Sequence, residues 1–306
     1  MAPTGQRTGA AARSAAALLV AASSRLAAAG SETARLDAEL LVSHAFGRDR
    51  TWLHAHPDAT LDVAELDVLD GWVARRSGGE PVAYIRGFKD WFGLRVGVDR
   101  RALIPRPETE LLAESAIAEL AARLSADARP IVAWDVATGS GAIALAIALR
   151  FRTALALERV RLVASDLSAD ALELAAENFA AHGVGSLVTL AAGDLLEIGQ
   201  APVPDVVTAN LPYLTSAMVA EAPGSIAYEP PSALDGGIDG TDVLRRMIAQ
   251  LPNRLAAGGV AMLEVGAGQA GALRDAAEAL GVPVAVSVLP DLAGIERIVR
   301  ITRLDG

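Results

Sequence analysis

Residues 131–142 read Ile131-Val132-Ala133-Trp134-Asp135-Val136-Ala137-Thr138-Gly139-Ser140-Gly141-Ala142, and this stretch decides the fold. Its first six residues are a short, nearly unbroken apolar run, the pattern of a strand buried on both faces. Small residues and two glycines follow, so the backbone can turn sharply and come close to a ligand. An alanine- and leucine-rich run over 142–149 then predicts a helix. Strand, glycine turn and helix in this order open a doubly wound sheet, which places ligands at the carboxyl ends of its strands. The glycine spacing is not the dinucleotide fingerprint, which needs two residues before its last glycine, and a nicotinamide cofactor is disfavoured. No lysine follows the glycines, which excludes a P-loop.

Downstream the alternation continues. Residues 161–165 form a second apolar run, and Ser168 can cap a helix that reaches His182 and is closed by Gly183. Strands are expected over 187–191, 205–209 and 260–265, then a helix over 269–280, then a terminal hairpin from 284–288 and 297–301. Such alternation predicts a mainly parallel sheet with helices on both faces. Three aspartates fall at successive strand ends. Asp135 can hold the ammonium of a methionine moiety, Asp166 can accept hydrogen bonds from a ribose diol, and Asp194 falls near an adenine edge. One aspartate alone reads as easily as a helix cap. Three in this order, beside a glycine loop, favour a methionine nucleoside over a purely structural turn.

Asn210-Leu211-Pro212-Tyr213 follows the fourth strand, which should neighbour the first across the switch in strand order. The segment suits a planar amide or amine. An amide nitrogen is a poor nucleophile because its lone pair is delocalised into the carbonyl. A catalyst must hold both N–H groups on acceptors and aim the nitrogen at its electrophile. The Asn210 side-chain oxygen and the Leu211 carbonyl can be those acceptors, Pro212 stiffens the backbone, and Tyr213 can stack on the flat group. Catalysis would come from positioning and pre-set dipoles, with no general base demanded. Without the upstream glycine loop, an Asx turn with an exposed tyrosine would be the simpler reading.

Upstream of the sheet the pattern differs. Residues 14–80 read as helical: one helix ends at Gly30, Ser31 can cap the next, and Leu36, Leu40 and Leu41 share its face up to Gly47. A last helix carries Leu66, Leu69 and Val73 and stops at Gly78-Gly79. Over 81–104, Tyr84, Phe88, Trp91, Phe92, Leu94, Val96 and Val98 alternate around glycines, the signature of a connecting β-hairpin. Ile104-Pro105-Arg106-Pro107-Glu108-Thr109-Glu110 stays extended through its prolines and then enters a helix. Arg7 and Arg13 before an alanine–leucine run resemble a leader peptide, but Ser23, Ser24 and Arg25 interrupt its apolar core. A first amphipathic helix behind a disordered tail over 1–13 is the better reading, and the expected location is cytoplasmic.

The chain has 306 residues and a net charge of −10 from 27 basic and 37 acidic side chains, with Lys89 its one lysine. Such a balance repels duplex phosphate and disfavours stable nucleic-acid binding. The absence of cysteine excludes disulfides and thiolate chemistry, and four histidines, three of them (His44, His54, His56) in the N-terminal region, do not make a metal site. No apolar stretch of about 18 residues suggests a membrane span.

The chain resembles the release-factor glutamine methyltransferases (the HemK/PrmC family) along nearly its whole length. The matching stretches include Leu36-Asp37-Ala38-Glu39-Leu40-Leu41, Gly79-Glu80-Pro81-Val82-Ala83-Tyr84-Ile85, residues 103–110, Thr138-Gly139-Ser140-Gly141-Ala142-Ile143-Ala144-Leu145, Asn210–Tyr213 and Tyr228-Glu229-Pro230. The resemblance implies an α/β, seven-stranded class I (Rossmann-like) methyltransferase fold behind a small helical N-terminal domain and a β-hairpin. It implies a helical substrate-docking domain over 1–80, a hairpin linker over 81–104 and the S-adenosylmethionine-dependent domain over 105–306. By that resemblance the methyl acceptor is the glutamine of the Gly-Gly-Gln motif in class 1 peptide release factors. Asn210, Leu211, Pro212 and Tyr213 would bind that glutamine, with Arg106 and Glu229 beside it. Asp135, Ala137, Thr138, Gly139, Ser140, Gly141, Asp166, Asp194, Leu195 and Asn210 would hold S-adenosylmethionine. A monomer is expected, with no metal. Two positions depart from the family pattern: Leu211 replaces the first proline of Asn-Pro-Pro-Tyr, and Ala137 replaces a glycine. Alanine favours ordinary backbone angles, so a conventional turn is expected at 137. Ribosomal-protein glutamine methylation, DNA adenine methylation and a silent binding module are the alternatives; the last is disfavoured by the intact Asn210, Tyr213 and Asp166.

Overall fold

The Ser14 hydroxyl accepts the Ala17 N–H (3.3 Å) and starts the first helix of the computed structural model, which describes residues 14–222 and 224–305. The tail expected over 1–13 lies outside the described residues. The described residues divide into two compact units, one over 14–87 with 224–228, the other over 88–222 and 229–305.

The first unit is helical: α1 Ala15–Ala28, α2 Ala34–Ala45, α3 Arg50–Ala55, α4 Val63–Ser77 and α5 Val82–Arg86. Leu26, Ala38, Leu41, Val42, Leu69 and Val73 form its dry centre. Asp62 and Glu65 close a capping box at the start of α4, satisfying two backbone donors at once. Two local expectations fail. Ser31 is not the cap of α2, because its hydroxyl donates instead to Asp37 (2.8 Å), a buried carboxylate that also accepts from Arg76 (2.8 Å). Leu36 is exposed, since Ala34, Ala38, Leu41 and Val42 already fill the inward face. Tyr84, counted with the hairpin in the sequence, lies on α5.

The second unit begins with the hairpin of β1 Phe88–Trp91 and β2 Leu94–Gly97. Phe92 and Gly93, at φ 51° and 70°, make a turn with two left-handed residues, which matches the twist of the flanking strands. After α6 Thr109–Ala126 come β3 Ile131–Val136, α7 Ala142–Arg150, α8 Arg152–Ala156, β4 Val160–Asp166, α9 Ala169–Ala181, β5 Val188–Ala192 and β6 Val206–Ala209. The chain closes with α10 Ser216–Ala220, α11 Asp242–Arg254, β7 Val260–Glu264, α12 Ala270–Glu278, β8 Val284–Pro290 and β9 Glu296–Arg303. The seven-stranded sheet has the order β5-β4-β3-β6-β7-β9-β8, with β9 antiparallel to both β7 and β8. Strands β3, β4 and β5 step toward one edge; β6 returns to the other side of β3. That reversal puts the loops after β3 and β6 side by side, with Asp135 paired to Thr208 and Val136 to Ala209. No helix among the described residues is long and apolar enough to cross a membrane.

Candidate active site

A cavity of about 540 Å³ opens where the loops after β3 and β6 meet, a volume within the range of about 300–1,000 Å³ usual for small-molecule sites. Ala137, Thr138, Gly139 and Ser140 line it from one loop and Asn210, Leu211 and Pro212 from the other. Asp166 at the end of β4, and Asp194 and Leu195 after β5, complete the wall. Asp135, Gly141, Tyr213, Arg106 and Glu229 are not part of that lining, and each has a different task.

Asp135 is buried beneath the glycine loop. Its carboxylate accepts from the hydroxyls of Thr138 (2.6 Å) and Thr208 (2.9 Å) and from the Ala144 N–H (3.2 Å) at the start of α7. Burial pushes this carboxyl up to about 6 against those three donors. The geometry makes it a brace that ties β6 and α7 to the loop. Gly141 stands at φ 79° at the N-terminus of α7, and a Cβ there would meet the Phe179 ring at 2.8 Å. Asn178 ties the loop to the hairpin: it accepts the Gly97 N–H (2.7 Å) and donates to the carbonyls of Gly97 (3.0 Å) and Ser140 (2.8 Å). Arg106 and Glu229 form an ion pair at 2.5 Å, and Glu229 also accepts the Ile104 N–H (3.0 Å), which holds the proline-flanked segment in place.

Asp166 lines the cavity while accepting from the N–H groups of Gly139 and Ser168, each at 2.9 Å. Burial raises its pKa, and those backbone donors oppose the rise. With Leu167 as a further backbone donor, three of the carboxylate's roughly four acceptor sites are engaged, which leaves about one for a ligand hydroxyl. Asp194 pairs with Arg246 at 2.5 Å on the rim. Ala137 and Leu195 both adopt left-handed angles, φ 53° and 58°. The conventional turn expected at Ala137 is therefore not formed. The loop keeps the backbone path that suits glycine, and alanine takes it at a cost. Two strained non-glycine residues on one cavity wall mark a conformation that the surroundings impose.

Asn210 donates from Nδ2 to the Thr109 hydroxyl at 3.0 Å, at the start of α6. Leu211 is buried in the sheet core, so leucine at this position contributes packing that proline would not. Tyr213 is half-buried, and burial pushes its hydroxyl up to about 12, with Glu264 adding to the rise. Its backbone carbonyl accepts from Gln269 (2.9 Å). The glycine cluster at 236–240 closes on the same loop: a Cβ at Gly236 would lie 2.7 Å from the Pro212 carbonyl, and one at Gly240 2.3 Å from that of Tyr213. Sequence reasoning missed Thr109, Gln269, Glu264 and this cluster. Only the glycines left a visible signal; the others depend on elements distant in the chain. Among the described residues no group of three or more histidine, cysteine, aspartate or glutamate side chains could hold a metal.

The sheet order and the ligand wall at its switch point define a class I methyltransferase fold. It is shared with the hMettl16 catalytic domain in complex with MAT2A 3'UTR hairpin 6 (TM-score 0.53, 15% identity, 76% of this chain and 82% of that one). Residues 17–87 match the PrmC N-terminal domain family. Proteins named release factor glutamine methyltransferase align over most of both chains. That of Xylella fastidiosa is 39% identical over 89% of this chain and 94% of its own. That of Deinococcus radiodurans is 37% identical over 94% and 98%. The chain belongs to the release factor glutamine methyltransferase family.

Proposed function

We propose that this chain transfers the methyl group of S-adenosylmethionine to the side-chain amide nitrogen (N5) of the glutamine in the Gly-Gly-Gln motif of class 1 peptide release factors. The observation that carries the reading is the meeting of Asn210 and Leu211 with the glycine loop on one cavity wall, across the β3–β6 switch. The residues present suit the cofactor. Asp166 offers an acceptor for a ribose hydroxyl, Gly139 leaves its side of the wall open to a close ligand, and Asp194 and Leu195 flank the far end. The cofactor would supply an electrophilic methyl on a sulfonium, whose sulfur would leave as a neutral thioether when its bond to the methyl breaks.

The chain's own residues supply the rest. The Asn210 Oδ1 and the Leu211 carbonyl accept the two amide N–H groups and aim the nitrogen lone pair along the line of transfer. As the N–C bond forms, positive charge develops on the nitrogen, and the same two dipoles stabilise it. The methylated amide then loses a proton to solvent. Tyr213 is neutral at physiological pH, so its ring offers an apolar face to the planar group. The helical segment over 1–80 docks the protein substrate, the hairpin over 81–104 links it to the methyltransferase domain over 105–306, and the chain acts as a cytoplasmic monomer without nucleic acid. Radiolabelled S-adenosylmethionine with purified release factor, followed by mass spectrometry of the Gly-Gly-Gln peptide, tests this reading. Label is expected on the glutamine and on no Gln-to-Glu substrate; label elsewhere, or none, overturns it.

A further inference from the structure

Glu264 ends β7 with 1% of its surface exposed, and its Oε2 has no hydrogen-bond partner among the described residues. Nothing in the chemistry above uses it. A buried carboxyl is expensive to ionise, and a fold keeps one only where something compensates. Donors from Thr109 and Asn210, and the charge of Arg297, favour the ionised form; burial and Glu108 oppose it and push the carboxyl up to about 7. Arg297 itself is engaged with Asp291 (2.9 Å).

The sense of this cluster matters. Asn210 Nδ2 donates to the Thr109 oxygen, so the Thr109 hydroxyl is free to donate its own hydrogen toward Glu264. A carboxylate accepts only, so the ionised form allows one polarity: hydroxyl toward Glu264, amide nitrogen of Asn210 toward Thr109. An amide carries nitrogen on one side and oxygen on the other. Committing the nitrogen inward leaves Oδ1 for the cavity, and donation toward a carboxylate strengthens that oxygen as an acceptor. A protonated carboxyl can donate instead, which permits the reversed amide.

We propose that Glu264 is a positioning residue that, directly and through Thr109, holds the Asn210 amide with its oxygen toward the target nitrogen. The proposal rests on the reading of Asn210 as the substrate acceptor. Ionised Glu264 is then the active form, and turnover rises with pH across neutrality. The charged and titratable groups facing it are Glu108 before α6, Tyr213 after β6 and Arg297 on β9. Tyr213 stays neutral and Arg297 cationic throughout this range, so neither supplies the rise. Asp135, pushed up to about 6, titrates in an adjacent pH range, and the Glu264 and Thr109 variants separate the two.

The test is nitrogen-15 NMR of the full chain labelled on asparagine, with the Asn210 side-chain resonances assigned by their loss in Asn210→Ala. Across neutral pH those resonances should shift with a midpoint near 7 in the wild type. They should be flat in Glu264→Gln, shift with a smaller amplitude in Thr109→Val, which keeps the direct contact between Asn210 and Glu264, and recover in Thr109→Ser. In parallel, Glu264→Gln and Thr109→Val should lower kcat on a Gly-Gly-Gln substrate about tenfold, with the cofactor KM unchanged and Thr109→Ser recovering. Thermal midpoints of both variants at or near wild type exclude unfolding as the cause. A pH-independent Asn210 signal in the wild type, or a wild-type titration in folded Glu264→Gln, overturns the proposal. If the amide titrates as expected but no release factor is methylated, the substrate reading falls and the role of Glu264 stands.

Discussion

Replacing Gly141 by alanine tests whether the glycine loop is held by backbone angle alone or also by what packs over it. Gly141 sits at φ 79°, where an L-residue pays about 1–2 kcal/mol. Alanine recovers about 0.4–1 kcal/mol by restricting the unfolded chain. The remaining contribution is steric: the new methyl would lie 2.8 Å from Phe179 Cε1, 2.9 Å from Cζ and 3.1 Å from the Ala175 Cβ. Phe179 is 1% exposed and has nowhere to retreat. Overpacking of a closed core adds about 1–3 kcal/mol. Gly139 is the internal control, since it is also left-handed (φ 54°) but its added methyl meets only the Ala102 Cβ at 3.8 Å. Gly139→Ala should therefore lose about 0–1.5 kcal/mol and Gly141→Ala about 1–4.5 kcal/mol, the gap being the Phe179 contact. Urea unfolding followed by near-ultraviolet circular dichroism measures both. Phe179→Leu on the Gly141→Ala background should return part of the loss, as coupled neighbours do. Equal destabilisation of the two glycine variants, or no recovery in the double variant, refutes the reasoning.

Asn210→Ala should lower methyl transfer by about a hundredfold or more, the effect of losing one transition-state dipole, while calorimetry shows little change in cofactor affinity; an active variant removes the mechanism. Asp166→Ala should weaken cofactor binding, because it deletes an acceptor on the cavity wall and also leaves the Gly139 N–H without its partner; unchanged affinity by calorimetry contradicts this. Ala137→Gly releases left-handed strain of about 1–2 kcal/mol against an entropic cost of about 0.4–1 kcal/mol, so it should be neutral or stabilising in the same urea assay, whereas a conventional turn would make it destabilising. Leu211→Pro keeps the carbonyl acceptor but trims the buried side chain by one carbon, worth about 0.8 kcal/mol; the variant should be slightly less stable yet retain transfer when folded, and a folded variant without transfer would show that more than the carbonyl is needed.

Much of this protein was legible in its linear order. The apolar run ending at Asp135, the small residues behind it and the terminal pair of strands specified a mainly parallel sheet closed by a hairpin, because burial on both faces and sharp turning are properties of neighbouring residues. Asp166 and Asn210 were legible as strand-end residues for the same reason, and the fold brings both to the cavity wall. Ser31 and Leu36 were misread because a side chain's partner across a helix bundle outweighs local capping and periodicity. Asp37 captures the serine, and the face already filled by Leu41 and Val42 excludes the leucine.

The linear order decided which loops would follow β3 and β6; the fold alone decided how their residues meet at the cavity. Asp135 looks like a ligand in the sequence, but its burial and its three protein donors make it a brace. Ala137 takes the angles of glycine because the loop's course is set by its neighbours and not by its own Cβ. Thr109 comes to Asn210 from a helix far upstream, and Glu264 comes to the same pair from a later strand. Hydrogen bonds reach about 3 Å through space and are indifferent to separation along the chain. Periodicity and spacing along the chain therefore announce strands, turns and glycine loops, while the partners of a half-buried amide are settled only once distant elements pack around it.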